Sequence, residues 1–152
     1  MTGLLLVASL MSSAPNTFDV QSNLQALYDE ATQAELQFDT PLDIDEYHAV
    51  RFTPAWTFVD ASGSSHSWDE MRAAEVSELS QRKDWIADSI QKVVSINETT
   101  AVVLVNEMIV TKNVGATTPY KDTWVKDGDS WKEQSRAQVG PAKTAPYNPI
   151  AY

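Results

Sequence analysis

Few residues in this chain are of a type that does chemistry, which makes their placement informative. There are two histidines, His48 and His66, and no cysteine. Thiolate nucleophiles, disulfides and cysteine-ligated metal are therefore excluded. His48 follows Asp43, Asp45 and Glu46, but the spacing is not that of paired ligands on one helix face, so the segment reads as a solvated helix and no metal site is expected. His66 belongs to a short strand beside a turn, at the mouth of any cavity there. Glu107 interrupts an otherwise apolar run and needs a partner or water. Strand alternation puts Tyr120, Asp122 and Trp124 on one face, and Gln134, Arg136 and Gln138 on one face of the next strand. Arg136 could take an acidic ligand, but pairing with Glu107 or Glu133 is the reading favoured. Asp60, before Ala61-Ser62-Gly63, has the position of a turn aspartate that bonds backbone amides. No nucleophile elbow, phosphate loop or dinucleotide fingerprint occurs, and no cofactor is called for.

The elements that carry these residues follow from the pattern. The 152 residues suit one domain. A net charge of −10 argues against nucleic acid and anionic membrane partners. The apolar run 3–11 is too short to span a bilayer. It has the length of a signal-peptide core, followed by Ser12-Ser13-Ala14. Export is expected if residues 1–14 are a leader, and a cytoplasmic location if they are an N-terminal extension.

Val20, Leu24, Leu27, Tyr28 and Ala31 recur at helical spacing, predicting a helix from Thr17 to about Gln37, ended by Pro41. Asp43 with Glu46 predicts the cap of a second, short helix, and Ser67 with Glu70 that of a third, to about Arg82. Trp56–Val59 is a strand. Residues 85–97 alternate, with Ile86, Ile90, Val94 and Ile96 on one face. Thr100–Lys112 is nearly all apolar and predicts a central strand buried on both faces. Thr118–Lys126 and Ser130–Val139 flank Asp127-Gly128-Asp129, a hairpin turn. Residues 15–140 form the domain, and the tail 141–152, with three prolines, should be irregular. The fold class is α+β: a cone-shaped, cystatin-like roll. In it a curved antiparallel sheet packs against about three helices and encloses a pocket.

Two segments resemble a known family. Trp56-Thr57-Phe58-Val59-Asp60-Ala61-Ser62-Gly63 with Ser67-Trp68-Asp69-Glu70, and the hairpin Asp122 to Lys132, resemble the nuclear transport factor 2-like superfamily, in its SnoaL-like, ketosteroid isomerase-like branch. The resemblance spans about Val20 to Val139. It implies a cofactor-free isomerase or dehydratase acting on a small apolar carbonyl compound. Asp60 would be the general base, Asp122 a protonated acid facing the enolate oxygen, and Tyr28 its partner in the oxyanion site. Trp56, Phe58, Tyr120, Trp124, Arg136 and His66 would line the pocket. The segment from Tyr28 to Asp60 is longer than in ketosteroid isomerases by a short helix. The same fold also serves as a non-catalytic ligand-binding module or a dimeric assembly module, and a homodimer is expected in either case.

Overall fold

In the computed structural model, which describes residues 16–148, three helices precede and interrupt a seven-stranded sheet. Helix α1 (Thr17–Glu35) buries Val20, Leu24, Tyr28 and Ala31, the stripe that its 3.6-residue period dictates. Helix α2 spans Pro41–Arg51, β1 Phe52–Val59, β2 Ser65–Ser67 and α3 Trp68–Glu78. The long strands are β3 (Trp85–Ile96), β4 (Thr100–Thr111), β5 (Val114–Asp127) and β6 (Ser130–Gln138), with a short β7 (Lys143–Pro146). The order across the sheet is β2-β1-β6-β5-β4-β3, and β7 pairs with β5 beyond the end of β6. Leu24 and Tyr28 of α1 meet Ala101, Val103, Val105 and Trp124 of the sheet in one core.

Several expectations need correction. The sheet is mixed: β1 runs parallel to β6, because after β2 the helix α3 carries the chain back before the antiparallel run β3 to β6 begins. Pro41 does not end α1 but starts α2, where its missing N–H costs nothing. Thr40 is the cap and Asp43 its reciprocal partner, one turn earlier than expected. On β4 only Ala101, Val103, Val105 and Val110 are fully buried, so the strand is not covered on both faces along its length. On β3, bulges at Ile90/Lys92 and Val93/Ser95 shift the alternation, so Val93 packs inward and Val94 is exposed. Lys112 and Asn113 both have positive φ, 50° and 64°, which makes a two-residue hairpin and starts β5 at Val114. The tail is not wholly irregular, since Lys143–Pro146 pairs with Val114–Thr117. The leader expectation concerns residues outside those described.

The third helix starts as its sequence predicts. Ser67 Oγ accepts the Glu70 N–H, and Glu70 Oε2 accepts the Ser67 N–H at 2.8 Å. Replacing Ser67 with alanine should lower stability by about 1 kcal/mol, or about 3 °C in Tm. A melting curve that does not move would show that the cap contributes nothing to holding α3 against β1.

Candidate functional site

Charged side chains point into the concave side of the sheet, which is unusual for a core. Asp122 on β5 faces Arg136 on β6, its cross-strand partner. Arg136 Nε lies 3.0 Å from Asp122 Oδ1 and Nη2 2.8 Å from Oδ2. Its Nη1 donates to Glu107 at 2.9 Å and its Nη2 to Asp88 at 3.3 Å, while Glu133 lies 3.8 Å away. Asp88 and Glu107 are themselves cross-strand partners. One guanidinium thus gathers four carboxylates from four strands.

Tyr28 closes this group from α1. Its hydroxyl donates to Asp122 Oδ2 at 2.6 Å and accepts Trp124 Nε1–H at 2.9 Å. Burial, and then the Asp122 charge, push the phenol well above its ordinary range, so it remains a neutral donor. Glu133 is held from the other side by Trp56 Nε1 (3.0 Å) and Arg51 Nη2 (3.4 Å).

In front of Arg136 lies a cavity of about 140 Å³. A void of this size holds a single small ring. Trp56 and Phe58 of β1, Trp68 and Met71 of α3, Tyr47 of α2 and Tyr120 of β5 form much of its wall. Glu35, Glu75, Glu107 and Glu133 also line it, against Arg51 and Arg136. Burial is the first cause of the displaced acidities of Glu75, Glu107 and Glu133. It lifts Glu107 to about 8, with Asp88 and Glu35 adding to the rise and Arg136 opposing it. It lifts Glu133 to about 7, with Asp122 adding, and Glu75 to about 7, with Glu35 adding. Asp88 is raised by burial as well.

Asp122, Tyr28 and Trp124 meet, but behind Arg136 and not on the cavity wall. Trp124 faces a second, more open groove of about 530 Å³ between α1 and α2. Asp60 lies elsewhere. Its Oδ1 accepts the Ser62 and Ser64 N–H groups (2.9 and 3.0 Å) and the Ser62 hydroxyl (2.6 Å). Its Oδ2 lies 2.7 Å from His66 Nε2. The Ser62 hydroxyl, then His66, hold this carboxyl well below the usual range. The turn closes at Gly63, φ 87°. Neither Asp60 nor His66 lines the cavity, whereas Trp56, Phe58, Tyr120 and Arg136 do. Arg136 is the partner of Glu107.

His48 is half-buried: its ring stacks on Trp68 at 3.8 Å, and burial lowers its pKa. Asp88, Arg51, Glu35 and Glu75 carry site charge that the sequence reading passed over. For Asp88 a signal existed, since it sits between Ile86 and Ile90 on the inward face of its strand. Among the described residues no helix is long and apolar enough to cross a membrane, and no group of acids and histidines is arranged to hold a metal ion.

No family model and no curated protein matches the sequence. Solved structures do match the fold. An NTF2-like protein from Cytophaga hutchinsonii is 19% identical with a TM-score of 0.59, over 83% of this chain and 99% of its own. An NTF2-like protein of unknown function from Pseudomonas aeruginosa gives 0.63 at 10% identity, over 80% and 98%. A domain of unknown function with a cystatin-like fold, from Nostoc punctiforme, gives 0.56 at 13%, over 89% and 82%. The fold is therefore NTF2-like and α+β, built on three helices and a curved mixed sheet.

Proposed function

We propose that this chain binds a small, compact, largely apolar molecule in the cavity in front of Arg136. One observation carries the reading: a void of about 140 Å³ with aromatic walls and a few convergent polar groups, as small-molecule sites have. The catalytic alternative with Asp60 as base is less well supported. A base must come within hydrogen-bond reach of the proton it removes. Asp60 spends its oxygens on Ser62, Ser64 and His66 and does not line the cavity. If the pocket does acid–base work, Glu107 is the better placed carboxyl, because it lines the cavity and burial holds it near neutral pH.

Binding is tested with two ring-sized probes, toluene and cyclohexanone, read through the fluorescence of Trp56 and Trp68. Saturable quenching is expected, with Kd in the range of about 10 µM to 1 mM for ligands of this size. Met71→Trp, which fills the cavity from α3, should abolish it. Quenching that never saturates, or that survives Met71→Trp unchanged, would remove the pocket reading.

A further inference from the structure

We propose that the cavity's ligand is an organic cation, a protonated amine carried on a compact apolar or aromatic body. This rests on the pocket reading above and narrows it. An ammonium group needs acceptors and ring faces, and the cavity wall carries both.

The acceptors come first. Four glutamates line the cavity against two arginines, and Asp88 and Asp122 add two more acids directly behind. Lys83, which interacts with Glu35 and Glu75, is a further cation from the same side. Six acids therefore face three bases. Both arginines are already engaged. Arg136 donates from Nε, Nη1 and Nη2 to three carboxylates, so an anionic ligand would find its fork occupied. Arg51 gives Nη1 to the Leu27 carbonyl and Nη2 to Glu133, and only its Nε is left without an acceptor. On the acid side an acceptor is left over: Asp88 Oδ1, in a residue only 4% exposed, has no donor.

The ring faces come second. The protein's own cations already lie on them. Arg51 Cζ is 5.7 Å from the Tyr47 ring centre and 5.8 Å from that of Phe52, and Arg136 Cζ is 4.6 Å from Tyr120. Trp56 and Trp68 complete the wall, their rings 6.0 Å apart and nearly perpendicular. Carboxylates plus aromatic faces in a partly dry cavity stabilise a cation and repel an anion. With the site empty, burial leaves part of the acid group protonated near neutral pH. An arriving ammonium then ionises a carboxyl, and the proton leaves to solvent.

Three ligands that share one ring separate the cases: benzylamine, benzyl alcohol and benzoate, measured by calorimetry at pH 7.5. Benzylamine should bind about tenfold more tightly than benzyl alcohol, and benzoate most weakly. Its binding heat should change between buffers of different ionisation enthalpy, because protons are released. Its affinity should rise from pH 6 to about pH 8.5 as the acids ionise, the ammonium staying charged throughout. Glu75→Gln should narrow the amine-over-alcohol ratio. Benzyl alcohol binding as well as benzylamine, or benzoate binding best, would overturn the charge preference and leave the pocket standing. No binding of any of the three would overturn both.

Discussion

Arg136→Met should leave the chain largely unfolded at pH 8 and partly folded at pH 5. The substitution is close to the native side chain in length and apolar stem, so the loss is one of charge. Asp88, Glu107 and Asp122 each lose a donor, and Glu133 loses a neighbouring positive charge. Removing one partner of a buried ion pair costs about 3–5 kcal/mol, and here three acids lose a donor at once. That is a large part of a domain's whole stability. Protons can replace the missing cation, which is why acid should restore some structure. Arg136→Lys keeps the charge but not the fork, and should fall between the two. Urea midpoints at pH 5 and pH 8 decide the matter. A variant within 1 kcal/mol of the parent at pH 8 would mean that the four acids are held by other means.

The unmodified protein should itself be more stable at pH 5.5 than at pH 8. Glu107, Glu133 and Glu75 are raised in the folded chain to about 8, 7 and 7, and Asp88 is also raised. In the unfolded chain they lose their protons near pH 4. Between these limits the folded state holds protons that the unfolded state has given up. Stability then falls as pH rises through the window, and levels off above about 8. Asp43, Asp45 and Asp60 act in the opposite sense. Their pKa values are lowered by hydrogen bonds, so their contribution is present above about pH 4 and is lost as pH falls further. The optimum therefore lies in mild acid. A drop of about 3 kcal/mol, or about 10 °C in Tm, is expected from pH 5.5 to 8. Melting temperatures that are flat or rise over that range would contradict the picture of buried, proton-holding acids.

The sequence told much about elements and less about the site. Capping residues and hydrophobic period are local signals, so α1, α3 and the β5–β6 hairpin could be read from a few residues each. The parallel pairing of β1 with β6 is not local, and no spacing announces it. The bulges in β3 are equally silent, and they exchanged the roles of Val93 and Val94. At the site, alternation put Asp122 and Tyr120 on the correct face, and the resemblance put Tyr28 beside Asp122. Asp60 shows the limit of resemblance. Its position before a turn glycine suits a base, but two serines and a histidine nearby bind the carboxylate first. Arg51 ends α2 and Glu35 ends α1, and it is the packing of these helices, which no spacing announces, that brings both to the cavity.

The short β7 has a consequence for how the chain behaves in company. Beyond the reach of β6, the first residues of β5 would offer bare backbone donors and acceptors along an open margin. Lys143–Pro146 covers that margin, Tyr147 N–H bonds to the Asn113 carbonyl at 2.7 Å, and the Tyr147 ring stacks on Trp85. Pro146 then ends the strand, and a proline cannot pass the ladder on. Open strand margins are where β proteins recruit one another into aggregates. The proline-rich end of the chain thus works as a selvedge, finishing the weave so that it does not run on into a neighbouring molecule.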